Sequence, residues 1–217
     1  MNTTPRHQCL IYEGSPSRQL RSVAALVQQK LTQNYRCLYL NSPVMVAGIR
    51  CYLAAAGIDI AHEVEKSSLV LSSDQQHLIE GRFDGDQMMR TLEEALNRAL
   101  EDGYDGLWAT GDMTWEVGPQ QDFSKLLEYE WRLEEFFQTH PALGGICQYH
   151  ADTLPREALR HGLLAHPLIF VNETLSRLNP HYLRPDSYSD RAASNPELES
   201  AIDCLCRSED PGMFHDN

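Results

Sequence analysis

The sequence predicts an α/β fold, in one three-layer domain with a mostly parallel central sheet and helices on both faces. Short apolar runs alternate with amphipathic helical patterns along the chain, which is typical of parallel strands joined by crossover helices. The length of 217 residues suits one large core with an appended tail, and the hydrophobic fraction of 42% is ordinary for a globular protein.

Apolar periodicity predicts the elements of the first half of the chain. A helix follows the first strand because apolar residues recur at helical spacing, at Leu20, Val23, Ala24, Val27 and Leu31. Pro43 opens the next helix, which runs to Ala56, and Gly57 is suited to follow its end. The predicted strands of this half are 9–12, 36–41, a short one at 58–60, and 68–72.

The segment 83–104 carries the clearest helical pattern in the sequence. Asp84 or Asp86 can cap its start, and Gly103 can end it. Between them one face is apolar, formed by Met88, Leu92, Leu96 and Ala99. The later predicted elements are strands at 106–110, 143–149 and 167–173 and helices at 122–140 and 154–166.

Beyond Pro180 the periodic pattern decays into Pro, Ser, Asp and Arg, and only 196–206 keeps a helical signal. We therefore divide the chain into a domain at 1–184 and a C-terminal tail at 185–217. Such a tail is either flexible or a segment that binds a partner.

The charge balance argues against nucleic acid as a partner. The chain has 31 acidic and 18 basic residues, for a net charge of −13, and the basic residues are scattered singly. No apolar run approaches the ~18 residues of a transmembrane helix, and "MNTTPRHQ" lacks the apolar region of a signal peptide. We therefore expect a cytoplasmic protein without membrane contact, whose six cysteines are reduced.

Motifs for metal or nucleophilic chemistry are missing from the sequence. Its nine histidines show no ligand spacing such as H-E-x-x-H, and Cys204-Leu-Cys206 is too tight for a zinc knuckle. Neither a G-x-S-x-G elbow nor a G-x-G-x-x-G fingerprint occurs. The sequence therefore indicates no metal site, no catalytic residues and no particular cofactor.

One loop has the layout of a phosphate-binding loop. "LIYEGSPSRQLRSV", residues 10–23, runs from an apolar strand through a turn into an amphipathic helix, whose first N–H groups attract anions. The second Gly and the Lys-Ser/Thr pair that hold phosphate and Mg²⁺ are missing, and Arg18 stands near their place. An ordinary turn is the alternative interpretation. The candidate ligand residues of this loop are Glu13, Gly14, Ser15 and Arg18.

Other candidates follow the carboxyl ends of predicted strands, where open parallel sheets bind ligands. Asn41 follows the second strand. Asp112 lies where P-loop proteins keep the acidic residue that orients Mg²⁺, although Asp after Gly is also a favoured turn residue. Trp115 in the same loop either closes the core or walls a pocket.

Glu130 interrupts the apolar face of a predicted helix. Within "DFSKLLEYEWRLEEFF", it projects from the middle of the face formed by Phe123, Leu126, Leu127, Leu133 and Phe137. A buried carboxylate must be paired, hydrogen-bonded or protonated, because an isolated buried charge costs several kcal/mol. Either it has a structural partner such as an Arg or a backbone N–H, or it is a pocket carboxyl with a raised pKa.

Seven short motifs in order resemble the MEDS domain, which is named for methanogen/methylotroph sensors and the dichloromethane regulator. They are "HQCLIYEG", "RCLYLN", "GRFDGDQMM", "GDMTW", "LLEYE", "ICQYH" and "HPLIF", and the resemblance spans residues 6–184. It implies a RecA-like relative of RecA/KaiC-type ATPases with a degenerate P-loop. The ligand-binding positions that it implies are His7, Tyr12, Glu13, Asp112, Trp115, Glu130, Cys147, Tyr149 and His166.

The resemblance also implies a cytosolic sensory role. Its members are usually fused to histidine kinases or DNA-binding regulators and are proposed to bind small molecules, hydrocarbon derivatives among them. Because no such segment follows here, we expect a stand-alone, non-enzymatic protein that binds a small ligand at the carboxyl edge of the sheet. It would signal through a kinase or transcription regulator, or through assembly with itself. The alternatives are a nucleotide hydrolase or phosphotransferase that uses Arg18, and an interaction protein without a ligand.

Overall fold

The structure, a computed structural model, describes residues 6–118, 122–189 and 195–207. Its central sheet is formed by β1 (His7–Tyr12), β2 (Tyr35–Leu40), β3 (Leu69–Ser72), β6 (Gly106–Asp112), β7 (Leu143–His150), β8 (Leu168–Asn172) and β9 (Leu175–Leu178). The strand order is β3-β2-β6-β7-β1-β8-β9, and all neighbours are parallel except β9, which pairs antiparallel with β8. A separate hairpin consists of β4 (Leu78–Ile79) and β5 (Arg82–Phe83).

Helices cover both faces of this sheet, which confirms the predicted fold class. In the described residues they are α1 (Ser17–Thr32), α2 (Pro43–Ala55), α3 (Ile60–Glu65), α4 (Gly85–Glu101), α5 (Met113–Val117), α6 (Leu126–Thr139), α7 (Arg156–Ala165) and α8 (Pro196–Arg207), with a 3-10 turn at Pro185–Ser187. None of the helices described is long and apolar enough to span a membrane.

Strand alternation decides which helices each side chain meets. Cys9 and Ile11 of β1 belong to the core built with α4, α6, α7 and α8. Leu10 and Tyr12, the intervening residues, belong to the core built with α1 and α2. Any two strand residues an odd number apart therefore lie on opposite faces, and this separates the candidate site residues into two groups.

Several predicted boundaries differ from the structure. The short strand predicted at 58–60 is wrong: Ile60 begins α3, because Asp59 accepts a hydrogen bond from the His62 backbone N–H and caps the helix. The helix predicted from residue 122 begins at Leu126. The predicted capping of the long helix is confirmed, since Asp84 accepts from the Gln87 N–H.

The segment predicted as a C-terminal tail contains a docked helix. Leu198 and Ile202 of α8 are buried against β1 and α7. Arg156 of α7 donates hydrogen bonds to the carboxylates of Glu199, at 2.7 Å, and Asp203, at 2.5 Å. The predicted tail residues 190–194 and 208–217 lie outside the described residues.

Candidate functional site

Four side chains from different parts of the chain converge on the face of the sheet that α6 and α7 cover. They are His7, Glu130, Cys147 and His166, and we refer to them as the interior cluster. His7 is the first residue of β1, Glu130 lies in α6, Cys147 lies in β7, and His166 follows the last residue of α7. All four are buried, and one donor atom from each lies within 4.8 Å of the other three. Nitrogen, oxygen and sulfur donors thus meet at one point.

Glu130 and His7 make the close contacts of the interior cluster. His7 Nε2 lies 3.4 Å from Cys147 Sγ and 3.6 Å from Glu130 Oε2. The same Glu130 oxygen lies 3.5 Å from His166 Nε2 and 3.7 Å from Cys147 Sγ. The other Glu130 oxygen accepts a hydrogen bond from the Tyr149 hydroxyl. In these contacts the hydrogen-bond donors to Glu130 are the Tyr149 hydroxyl and the Cys147 thiol, and not the Arg or backbone N–H suggested for a structural partner.

Hydrogen bonds outside the cluster orient both imidazole rings. His7 Nδ1 lies 3.1 Å from a Glu134 carboxylate oxygen, and His166 Nδ1 lies 2.7 Å from the Gly162 carbonyl oxygen. A carboxylate or a carbonyl can only accept, so each Nδ1 carries the proton and each Nε2 carries the lone pair that faces the cluster. In the described residues, His166 Nε2 has no hydrogen-bond partner.

Burial shifts the protonation equilibria of the cluster toward neutral groups. It lowers the pKa of His7 to about 3 and lowers the pKa of His166 well below its usual value. Burial raises the pKa of Glu130 to about 7, although hydrogen bonds from Tyr149 and Cys147 favour the ionised form. This direction is the one expected for a buried carboxyl held by hydrogen bonds, and the role of Glu130 as a pocket carboxyl stays a prediction. Both imidazoles are therefore neutral near pH 7, and each turns the lone pair of its Nε2 toward the cluster.

A small cavity lies beside the cluster, between the sheet and helices α4 and α6. Its volume is about 30 Å³, and Cys147 belongs both to its wall and to the interior cluster. Thr110, Glu116 and Tyr129 supply its polar groups; Glu116 and Tyr129 are hydrogen-bonded to each other, and Glu116 Oε2 has no hydrogen-bond partner among the described residues. The rest of the wall is largely apolar, with Leu40, Met88, Leu92, Ala109, Leu133, Phe137, Leu143 and Ile146. We refer to it as the apolar cavity.

A second group of predicted residues lies at the carboxyl edge, on the opposite face of the sheet. The Tyr12 hydroxyl donates to Asp112 Oδ2 at 3.4 Å, and the Tyr12 ring stacks on His150 with centroids 4.8 Å apart. Asp112 Oδ1 accepts from the Trp115 N–H at 3.0 Å and so caps α5. The predicted ligand residues were expected to share one site at this edge, but His7, Glu130, Cys147 and His166 lie apart from Tyr12 and Asp112.

The loop with the phosphate-binding layout is tied to the end of β7. The Gly14 N–H donates to Asp152 Oδ2 at 2.8 Å, and the Gly14 carbonyl oxygen lies 2.8 Å from His150 Nε2. The Asp152 carboxylate thus accepts the hydrogen bond from an N–H group that could otherwise have bound an anion. The other candidates of this loop, Glu13, Ser15 and Arg18, are exposed.

The remaining candidates have local structural contacts. Asn41 is buried, donates to the Tyr39 hydroxyl at 3.2 Å and accepts from the Ser42 N–H at 2.7 Å. Trp115 packs in the core against His77, with ring centroids 4.9 Å apart, and is not part of the wall of the apolar cavity. Of the two roles weighed for Trp115, its contacts support closing the core.

Sequence reasoning missed Glu134, the carboxylate that orients His7. The signal was available, because Glu134 follows Glu130 by one helical turn and shares its face of α6. Sequence reasoning also missed the hydrogen bond between Tyr129 and Glu116, which links α6 to α5. No local spacing indicates that contact.

The chain matches the family model described as "MEDS: MEthanogen/methylotroph, DcmR Sensory domain" over residues 6–167. This range is most of the chain and includes the interior cluster, the apolar cavity and the carboxyl-edge group. No curated protein matches the chain.

Proposed function

The chain belongs to the MEDS family of sensory domains, and on that premise we propose that it is a non-enzymatic sensory protein whose ligand binds in the apolar cavity. The observation that carries the proposal is the cavity itself, a space of about 30 Å³ with a largely apolar wall and a few polar groups. Ligand sites in proteins are mostly apolar with a few polar groups that fix orientation, and this composition fits that description.

The size and chemistry of the cavity favour a very small ligand. A space of this volume holds one or two water-sized groups, so a molecule of about three non-hydrogen atoms would be near the upper limit of what fits and would press on the walls. Such a molecule would lie on Leu and Met side chains, while Glu116 Oε2 and the Cys147 thiol offer polar contacts. A halogenated or oxygenated hydrocarbon of one or two carbons has this mixed character.

The position of the cavity supports a route for the output. Its walls come from α4 and α6 on one side and from β2, β6 and β7 on the other. A ligand that fits better when α6 is slightly displaced from the sheet would shift the population toward that arrangement. The proposed receiver is a signalling protein, such as a histidine kinase or a transcription regulator, that contacts the helical face.

Two features weigh against a nucleotide-binding enzyme. Arg18, the residue that would replace the P-loop Lys, is exposed. The Gly14 N–H is hydrogen-bonded to the Asp152 carboxylate, whose charge would repel a phosphate. Within the part of the chain that the structure describes, no contact at the carboxyl edge favours phosphate transfer, so we do not retain this alternative.

The proposal is tested by methyl NMR of the full chain during titration with dichloromethane as the probe. We expect saturable shifts in the methyl groups of Leu92 and Leu133, which line the cavity. Ala109→Val adds two methyl groups to the cavity wall and should abolish those shifts, whereas Ala95→Val, on α4 but outside the wall, should retain them. Equal shifts in both variants, or unsaturable shifts across the whole surface, would reject the apolar cavity as the ligand site.

A further inference from the structure

We propose that the interior cluster binds one Zn²⁺ ion through His7 Nε2, His166 Nε2, Cys147 Sγ and a Glu130 carboxylate oxygen. This inference goes beyond the sensory role and does not depend on which molecule the apolar cavity accepts. It stands on the geometry of the four donors, on the hydrogen bonds that orient them, and on the balance of charge that an ion would provide.

The spacing of the donors matches a tetrahedron around zinc. With Zn–N and Zn–O bonds of about 2.0 Å and Zn–S bonds of about 2.3 Å, tetrahedral ligand atoms lie roughly 3.3–3.6 Å apart. Four of the six pairs of donor atoms lie 3.4, 3.5, 3.6 and 3.7 Å apart. All the donor atoms lie within 4.8 Å of one another, so small side-chain shifts would complete the shell.

Both imidazoles are held in the way that metal-binding histidines usually are. In such sites the second ring nitrogen donates to a carboxylate or a backbone carbonyl, which fixes the tautomer and the ring orientation. Glu134 holds Nδ1 of His7 in this way, and the Gly162 carbonyl holds Nδ1 of His166. The buried, unpartnered Nε2 of His166 is an acceptor without a donor, and an ion would supply the missing partner.

The charges of the four donors suit a divalent ion. A Cys147 thiolate and a Glu130 carboxylate carry two negative charges, and two neutral imidazoles add none, so Zn²⁺ would leave the filled site neutral. Mixed imidazole and thiolate donors in a tetrahedral arrangement favour zinc over the harder Mg²⁺ and Ca²⁺.

The arrangement is that of a closed site. Four protein donors leave no open position for water, which is typical of structural rather than catalytic zinc. The ion would join β1, β7, α6 and the segment after α7 at one point. Because Cys147 also lines the apolar cavity, a molecule in that cavity would lie beside a zinc ligand.

Cobalt(II) is the probe that tests the proposal. We expect metal-free protein titrated with cobalt chloride to bind one equivalent, with strong visible absorption from tetrahedral Co²⁺ and a near-ultraviolet thiolate-to-cobalt band. Cys147→Ser should lose the near-ultraviolet band and bind at least tenfold more weakly. Cys9→Ser is the matched control, since Cys9 lies opposite Cys147 in the β1–β7 pairing and is also buried on the same face. It should retain the band.

Two results would contradict the zinc site. Absence of tetrahedral cobalt absorption in the folded wild-type protein, or a band that survives Cys147→Ser but not Cys9→Ser, would overturn the proposal. If Cys147→Ser does not fold, zinc X-ray absorption of the wild-type protein decides between the two outcomes. One sulfur with three nitrogen or oxygen neighbours is expected, and a shell without sulfur would refute the site.

Discussion

Single residues decide whether the two imidazoles of the interior cluster point their lone pairs inward. Glu134 accepts from His7 Nδ1 and also from the Gln138 amide, at 2.6 Å, so its carboxylate is fixed on both oxygens. Gly162 accepts from His166 through its backbone oxygen, which no side-chain substitution removes. The His7 support is therefore the one that mutagenesis can test.

Glu134→Gln should weaken zinc binding about 10- to 100-fold, because an amide holds the imidazole less firmly than a carboxylate does. Competition with a chromophoric chelator measures the affinity, and circular dichroism checks the fold. Glu135→Gln, an exposed neighbour on the same helix, is the control and should bind as the wild type does. Equal affinities in all three proteins would mean that Glu134 does not position His7.

Gly162→Ala should destabilise the protein by about 1–3 kcal/mol, because a new Cβ would lie 2.5–2.8 Å from ring atoms of Tyr149. The ring would have to move, and its hydroxyl would leave Glu130. Urea unfolding with a chelator present measures the change. Gly85→Ala is the control at a helical glycine, since its Cβ would meet no atom closer than 3.4 Å. The packing argument fails if both variants unfold at the same urea concentration.

Some individual residues of the interior cluster can be predicted from the sequence. Helical periodicity places Glu130 on the apolar face of α6, so its burial and raised pKa follow from the sequence. Its partners do not, because Tyr149 and Cys147 come from a strand whose distance from α6 depends on the whole fold. Glu134 could have been found by the same periodicity.

Among the secondary-structure elements, the C-terminal helix α8 is part of the core. Its apolar stripe includes Leu198, Ile202 and Leu205, all buried. Arg156 and Arg160 of α7 both donate hydrogen bonds to the Glu199 carboxylate. Partial burial raises the pKa of Glu199, but these two arginines outweigh that effect, so the pKa is lowered overall. The helix covers β1, the strand that begins with His7.

Ile202→Ala should therefore lower the free energy of unfolding by about 2–5 kcal/mol, as is usual for a fully buried aliphatic side chain. Thermal and urea unfolding measure the loss. Cys204→Ala, at an exposed position of the same helix, should change stability by less than about 0.5 kcal/mol. A negligible loss in Ile202→Ala would indicate that α8 is not part of the cooperative fold.

Elements with strong periodicity were predictable, and short or exposed ones were not. The apolar stripe of α4 and its Asp84 cap are visible in the sequence. Each of β4 and β5 has two residues, too few to show an alternation, and β9 is exposed along its length. The helical signal at 196–206 was visible, but a docked helix and a free one have the same amphipathic pattern.

The whole molecule is divided by its sheet into two faces with separate groups of polar side chains. His7, Cys147 and Tyr149 meet α6 and α7 on one face. Tyr12, Asp112 and His150 meet at the carboxyl edge on the other. Because no hydrogen bond recorded among the described residues joins the two groups, their energetic contributions should be independent.

Asp112→Asn tests that independence. Asparagine keeps an oxygen for the Trp115 N–H, so the fold should persist, and zinc affinity should stay within about twofold of the wild-type value. The affinity is measured by the same chelator competition. A loss comparable to that in Glu134→Gln would show that the carboxyl edge and the interior cluster form one coupled site.

The convergence of the cluster was beyond sequence reasoning. His7 and Cys147 are 140 residues apart, and they meet only because β1 pairs with β7 in parallel register. Strand order is set by the packing of all the helices, which a single sequence does not reveal. Residue types at the site were therefore predictable through the family motifs, whereas their division between two faces required the structure.

The most direct measurement is native mass spectrometry of the full chain, purified without chelators and compared with its denatured mass. We expect the native mass to exceed the chain mass by one zinc ion, with the excess lost in acid, absent from Cys147→Ser and present in Cys9→Ser. A bare chain from zinc-supplemented cells would contradict the zinc site proposed for the interior cluster, and a bound nucleotide that Arg18→Ala releases would contradict the non-enzymatic sensory proposal.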